Sequence, residues 1–184
     1  QSLALLRMPL FTFLSGCLFA MRPVEIGNYW LFIRKKLARL YVPAIAVGVL
    51  YLAATMFAPG VNAGAGHYSL LDVFFFPFAH YWFIQALMVI LVVVGLAEIL
   101  GLMSTPRRYA LALVASMAIQ VFGAAIAEIQ FFSIARAGYL LPFFVLGIGV
   151  QRYAGRLQWN ETFTLAVLFV FGVLMLPVFL PYFA

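Results

Sequence analysis

The residues of this chain that could carry chemistry are few, and most of them are cations. Residues 34–43 read RKKLARLYVP and hold four of the eleven Lys and Arg residues. Ammonium and guanidinium groups bind phosphates, and arginine does so in a bidentate manner. In a membrane protein a basic cluster also marks the cytoplasmic side. The cluster of Arg34, Lys35, Lys36 and Arg39 therefore predicts a topological anchor and is a candidate site for an anionic ligand.

Motifs typical of soluble enzymes are absent from the sequence, which has no Gly-rich phosphate loop and no Gly-x-Ser-x-Gly turn. His67 and His80 have no evident third ligand, so we predict no metal site. His80 remains a candidate general base, provided that an acceptor hydroxyl lies nearby. Polar side chains inside apolar runs either serve function, reach the headgroups or bond between helices, and they are Arg7, Gln85, Glu98, Gln120 and Glu128.

The composition indicates an integral membrane protein. Hydrophobic residues make up 67% of the 184 residues and charged residues 9%, whereas soluble domains are about half apolar and about a quarter charged. The net charge of +6 is distributed in short clusters between apolar runs. We therefore predict no nucleic-acid partner. The single cysteine, Cys17, lies inside an apolar run and is interpreted as a small packing residue.

Apolar stretches long enough to cross a bilayer predict an all-α, polytopic membrane bundle of about six transmembrane helices. We interpret residues 1–184 as a single, partial transmembrane domain. The fifth stretch contains Pro142 and several glycines, so it either spans the membrane or forms a kinked, partly re-entrant segment. The predicted spans are 3–21, 40–58, 80–100, 109–131, 137–153 and 162–183.

The distribution of Lys and Arg predicts the orientation of these spans. The connections that carry the basic residues alternate with connections that carry almost none, which places both ends of the chain on the outer side. The predicted location is the bacterial inner membrane. The residues that mark the cytoplasmic connections are Arg22, Arg34, Lys35, Lys36, Arg39, Arg107, Arg108, Arg152 and Arg156.

Short amphipathic helices are predicted at the membrane surface in the first two connections. The sequence SLLD at residues 69–72 fits a capping box for a helix over 70–76, with a plain aromatic belt as the alternative. A helix over 24–40 would place Lys35, Lys36 and Arg39 on its polar face. Arg34 would then lie on the apolar side, where it snorkels, stacks on Trp30 or points into the bundle. The predicted apolar face consists of Trp30, Ile33, Leu37, Leu40 and Tyr41.

Three motifs in this order resemble the membrane-bound acyltransferase 3 family. Residues 8–19, MPLFTFLSGCLF, are similar to the family's second-helix signature. Residues 36–43, KLARLYVP, are similar to its basic-x-x-Arg-Leu motif with a following proline. Residues 80–87, HYWFIQAL, resemble the start of its later Trp-Phe-x-x-Ala-Leu helix.

The resemblance implies an O-acyltransferase that moves an acyl group, by default acetyl, from cytoplasmic acyl-CoA to a hydroxyl of an extracytoplasmic or lipid-linked carbohydrate, as in polysaccharide O-acetylation. It implies acyl-CoA as a co-substrate, no permanently bound cofactor, and membrane lipid and a glycan or glycolipid as further partners. The implied donor-binding residues are Arg34, Lys35, Lys36, Arg39, Ser15 and Gly16, where Gly16 would admit another helix or the pantetheine arm. The implied acceptor-binding residues are His80, Tyr81, Trp82 and Gln85.

The sequence departs from the family pattern in one important respect. The family's proposed catalytic histidine belongs to a helix that would precede Gln1, so we expect the catalytic residues upstream and the chain as given to be catalytically incomplete. The alternative function is a transporter or flippase module, because Pro142 and Pro177 interrupt apolar helices that could line a translocation path. The sequence leaves open the acyl group, the acceptor and the oligomeric state.

Overall fold

The computed structural model describes the chain in ranges that are separated by gaps, and the structural statements below refer to these ranges. No β-strand occurs within them. The described residues are 2–22, 24, 26–57, 82–122, 131–153 and 161–183.

Helices occupy almost all of the described residues, which confirms the predicted all-α membrane bundle. Two 3₁₀ turns, Ile26–Asn28 and Phe131–Ser133, each precede a helix, and Leu37–Tyr41 is π-helical. The α-helices in chain order are α1 (Ser2–Ala20), α2 (Tyr29–Lys36), α3 (Val42–Phe57), α4 (Trp82–Ile99), α5 (Pro106–Phe122), α6 (Ile134–Tyr153) and α7 (Glu161–Phe183).

Each predicted span overlaps one of the long helices, and α1, α5, α6 and α7 begin one to three residues before the predicted start. Within the described ranges, three helices are long and apolar enough to cross a membrane, namely Ile26–Ala54, Trp82–Ile99 and Ile134–Tyr153. Shorter apolar helices cover Leu6–Ala20 and Leu165–Leu176. The fifth predicted span forms one continuous helix of 20 residues despite its proline. The predicted surface helix over 70–76 lies outside the described residues.

Helix α6 forms the centre of the bundle and packs against α1, α4, α5 and α7. Its residues 142–150 are all buried, as expected of a helix that is apolar on every side. Helix α1 crosses α6 where Gly16 faces the backbone of Phe144 and Gly147 faces the backbone of Phe13. A Cβ at either glycine would collide with the facing carbonyl, so these two residues allow the close approach of the helices.

Helices α4 and α6 run parallel. One polar contact joins their beginnings and another joins their ends. Near their beginnings, the Ser133 hydroxyl donates to Oε1 of Gln85 at 3.0 Å. Near their ends, Nη2 of Arg152 lies 2.7 Å from Oε1 of Glu98. Helix α4 then ends in a Schellman motif, in which Gly101 adopts φ +69° and Leu102 N–H donates to the carbonyl of Ala97 at 2.9 Å.

The first connection forms an amphipathic helix, α2, which continues without a break through the π-helical segment into α3. The Tyr29 hydroxyl donates to the carbonyl of Val92 at 3.0 Å, and the ring of Tyr41 lies 5.6 Å from that of Phe132. Phe132 is next to Ser133, which bonds to Gln85 near the beginning of α4. The segment from Tyr29 to Tyr41 therefore runs alongside α4. The basic stretch therefore follows the wall of the bundle and is not a separate surface helix.

The predicted apolar face of this segment is partly buried in the bundle. Ile33 is buried and Leu37, Leu40 and Tyr41 are half-buried, but Trp30 is 75% exposed. Arg34, which the helical wheel predicts on the apolar side, is exposed as well. Successive helical residues are about 100° apart, so Trp30 and Arg34 share one exposed side, while Tyr29 and Phe32 lie on the side that packs on α4 at Gly95.

Candidate functional site

A groove of about 630 Å³ lies between the end of α1 and the helix that begins with α2. One wall is a single stripe at helical spacing, and it carries Asn28, Leu31, Phe32, Lys35, Lys36, Arg39 and Leu40. The other wall is the end of α1 and the residues after it, and it carries Leu18, Phe19, Arg22 and Val24. We call this feature the basic groove.

Cations dominate the polar lining of the basic groove. Arg22, Lys35, Lys36 and Arg39 line it, and no described carboxylate does. Among the described residues, Glu98 and Arg152 form an ion pair. The groove's cations form no ion pair with another described residue. Lys36 Nζ lies 5.6 Å from the Phe32 ring centroid and is close enough to Arg39 to be repelled by its charge. Like charges in one groove favour the binding of an anion.

The groove cations lie beside a helix of the bundle, α4. The stretch that carries them runs alongside α4, between the contact of Tyr29 with Val92 and the contact of Tyr41 with Phe132. Several cations gathered on one groove repel one another, and an anionic ligand relieves that repulsion. The groove is therefore the strongest candidate for a polar ligand site among the described residues.

The predicted donor-binding residues fall into two groups in the structure. Lys35, Lys36 and Arg39 line the groove together. Arg34 is exposed and is not part of its lining. Ser15 is half-buried within α1 and also lies outside the lining, while Gly16 is buried against the α6 backbone. The missing side chain of Gly16 thus accommodates a neighbouring helix.

The predicted acceptor-binding residues that are described lie at the beginning of α4. Gln85 is 2% exposed and accepts the hydrogen bond from Ser133. The Arg136 guanidinium carbon lies 4.8 Å from the Trp82 ring centroid, in a cation–π geometry. The predicted acceptor residues His80 and Tyr81 are outside the described residues. The structure therefore brings together Trp82, Gln85, Ser133 and Arg136, at the end of α4 opposite Glu98.

Two features of the structure were missed by reasoning from the sequence. Arg22 was interpreted only as a topological marker, because a turn separates it from the helical stripe that it faces. Glu98 was treated as a possible headgroup contact, whereas it pairs with Arg152, which also donates from Nη1 to the Met103 carbonyl at 3.3 Å. The second carboxylate oxygen of Glu98 is buried without a partner among the described residues.

We predicted no metal site, and the described residues contain no group of three or more His, Cys, Asp and Glu side chains that could hold a metal ion. Helix–helix bonds elsewhere are structural in character. The Tyr109 hydroxyl donates to the carbonyl of Val145 at 3.1 Å, and Gln120 Nε2 donates to that of Leu174 at 3.1 Å. The predicted helix-to-helix hydrogen bond of Gln120 is thus present.

Long apolar helices packed around a buried central helix define an integral membrane protein of the helical-bundle class. The chain belongs to the acyltransferase 3 family, because the family model described as an acyltransferase domain matches residues 1–184. The protein is therefore a membrane acyltransferase, and the resemblance carried by the three motifs is confirmed. No curated protein and no solved structure gives a match to the chain.

Proposed function

We propose that the protein transfers an acyl group, by default acetyl, from acyl-CoA in the basic groove to a hydroxyl of a carbohydrate or a lipid-linked glycan. The observation that carries the proposal is the convergence of Arg22, Lys35, Lys36 and Arg39 on one groove without a described carboxylate. Coenzyme A carries a diphosphate and a 3′-phosphate, which several cations bind better than one. Acyl-CoA is then a co-substrate that arrives and leaves in every cycle.

The size and the apolar lining of the groove support the same donor. Its volume of about 630 Å³ falls within the range of about 300 to 1,000 Å³ that is typical of small-molecule sites. Leu18, Phe19, Leu31 and Phe32 provide apolar surface beside the cations. A donor that combines phosphates with an adenine ring and a pantetheine arm fits such a mixed lining.

The position of the groove agrees with a cytoplasmic supply of donor. Tyr29, at the beginning of α2, contacts α4 about one turn before Glu98. This end of α4 leads into the connection with Arg107 and Arg108, which the distribution of basic residues assigns to the cytoplasm. We place the protein in the bacterial inner membrane, with the donor taken from the cytoplasmic side.

The acceptor is proposed to bind near the opposite end of α4. The indole of Trp82 could stack on a sugar ring, and the Arg136 guanidinium beside it could donate to sugar oxygens. His80 and Tyr81 immediately precede Trp82 in the chain. These residues thus form the proposed acceptor site, together with Gln85.

In the proposed reaction the acceptor hydroxyl oxygen attacks the carbonyl carbon of the thioester. A carbon–oxygen bond forms, the carbon–sulfur bond breaks and coenzyme A leaves as the thiol. The hydroxyl proton passes to a general base and from there to the sulfur. Within this sequence His80 is the candidate for the base. The groove cations act on donor affinity through the phosphates and take no part in the proton transfer.

Donor affinity in groove variants tests the proposal. Arg39→Gln and Lys35→Gln each remove a cation from the groove lining. A hydrogen bond to a charged group contributes about 1.5 to 3 kcal/mol, so each variant should weaken acetyl-CoA binding about tenfold to a hundredfold. The measurement is the acetyl-CoA dissociation constant of the purified protein in detergent or nanodiscs.

Matched variants separate a lost phosphate contact from a general loss of positive charge. Arg107→Gln removes an exposed cation at the beginning of α5, outside the groove, and should leave the dissociation constant unchanged. Arg34→Gln removes an exposed cation on the same helix as Arg39 and should weaken binding less than Arg39→Gln does. Equal affinity in the native protein and both groove variants would overturn the proposal.

A further inference from the structure

The walls of the basic groove rest on different helices. The wall formed by the end of α1 is seated on α6, through the crossing of Gly16 and Gly147. The cationic wall is seated on α4, through Tyr29. Phe19 links the walls, because its ring lies 5.8 Å from that of Phe32 and 5.6 Å from that of Phe144 in α6. The geometry of the groove therefore depends on how firmly the cationic wall is held against α4.

Tyr29 is the residue that joins the beginning of the cationic wall to α4. Its hydroxyl donates to the Val92 carbonyl at 3.0 Å. Its ring covers Gly95, where a Cβ would lie 3.1 Å from Cε2 of the tyrosine and 3.7 Å from Cε1 of Phe32. Gly95 is buried, and the absence of its side chain makes room for both rings. Tyr29 itself lies outside the groove lining.

Tyr29 holds the beginning of this stretch against α4, and Tyr41, whose ring lies 5.6 Å from that of Phe132, holds its end. Lys35 and Lys36 lie about two turns after Tyr29, and the π-helical segment Leu37–Tyr41 follows them. A π-helical segment departs from regular helical hydrogen bonding and often occurs at functional sites. A rotation of α2 about its axis would move the cationic side chains away from Arg22 on the opposite wall.

We infer that Tyr29, seated on Gly95, is a positioning residue for the acyl donor. It fixes the rotation of α2 so that Lys35, Lys36 and Arg39 converge with Arg22 on the donor phosphates. The inference rests on the proposed function, since it takes the basic groove as the donor site. Tyr29 does not touch the donor and acts only through the helix that it anchors.

Tyr29→Phe tests the hydroxyl contact, and Tyr109→Phe provides a matched control. In the control the lost bond is of the same kind, from a tyrosine hydroxyl to a helix carbonyl, but it joins α5 to α6 away from the groove. In assays of the full-length enzyme, Tyr29→Phe should raise the KM for acetyl-CoA about threefold to tenfold, the effect of one lost neutral hydrogen bond. The acceptor KM and kcat at saturating donor should stay at their native values. Tyr109→Phe should leave the donor KM unchanged.

Gly95→Ala tests the packing of the Tyr29 ring over Gly95, with Gly172→Ala as its control. The added methyl at Gly95 would press on Tyr29, whereas a Cβ at Gly172 in α7 meets nothing within 4 Å. Gly95→Ala should raise the donor KM in the same direction as Tyr29→Phe. Gly172→Ala should leave the donor KM unchanged.

The outcomes separate this inference from the proposed function. A native donor KM in Tyr29→Phe and Gly95→Ala, together with a raised donor KM in Arg39→Gln, overturns the positioning role and leaves the donor site in place. A native donor KM in Arg39→Gln as well contradicts the donor site itself. A loss of folded protein without a change in donor KM would assign Tyr29 a purely structural role and would also overturn the inference.

Discussion

Glu98 and Arg152 join the ends of α4 and α6 through a short ion pair in a largely buried setting. The side chains are 15% and 19% exposed, and Arg152 also donates to the Met103 carbonyl. Removing one partner of such a pair leaves the other charge without compensation, which is costly in a poorly solvated place. Loss of either partner should therefore destabilise the bundle, at the end where the helices approach the basic groove.

Neutralising this pair should lower stability in a non-additive manner. Glu98→Gln and Arg152→Gln should each reduce the free energy of unfolding by about 1.5 to 3 kcal/mol, the range for hydrogen bonds to charged groups. The double variant should be less destabilised than the sum of the single effects, because it leaves no unpaired charge. Thermal unfolding in detergent measures these differences. Strictly additive effects would show that the pair is not coupled.

Only some of the cations of the basic groove could be assigned to it from the sequence. The helical spacing of Lys35, Lys36 and Arg39 was sufficient to predict that they share a face. Arg22 could not be assigned to the same site, because the turn before α2 determines where it points. Trp30 and Arg34 lie together on an exposed side of α2, and the sequence could not show that Tyr29 packs over Gly95 of another helix.

Among the helices, the crossing of α1 and α6 shows the closest backbone approach. Gly16 and Gly147 each face a carbonyl of the other helix. A methyl group at either position must push the backbones apart, and overpacking of this kind costs about 1 to 3 kcal/mol. The crossing also holds one wall of the basic groove, so the position of α1 affects the shape of the groove.

Alanine at Gly147 should therefore destabilise the protein, although alanine favours helices. Gly147→Ala should lower the free energy of unfolding by about 1 to 3 kcal/mol. Gly172→Ala, where a Cβ has open space, should leave it unchanged or raise it by about 0.5 to 1 kcal/mol, the usual gain from replacing a helical glycine. Thermal unfolding of both variants distinguishes the two signs. Equal effects at the two positions would contradict the close crossing.

The elements themselves were largely predictable because the lengths of the apolar runs determine the spans. Pro142 left it open whether the fifth run forms a continuous helix, and packing on four neighbours maintains α6 throughout. The joint between α2 and α3 was not predictable. The basic cluster lowers the local hydropathy near residue 40, although the helical hydrogen bonding continues through the π-helical segment.

For the whole molecule, both proposed substrate sites lie along α4, and the stretch that carries the groove cations runs from Tyr29 beside Val92 to Tyr41 beside Phe132. The basic groove approaches α4 at Val92 and Gly95, and the cluster around Trp82 and Arg136 lies at its beginning. The family assignment was available from the motifs, whereas the composition of the groove required the fold, since its two walls are separated by a turn.

Photolabelling tests directly whether the basic groove binds the acyl donor. An 8-azidoadenine analogue of acetyl-CoA places the reactive group close to the donor phosphates. Peptides containing Arg22 or residues 35–40 should be labelled, and excess acetyl-CoA should abolish the labelling. If the labelling that acetyl-CoA suppresses is found only in other parts of the chain, the basic groove is not the donor site.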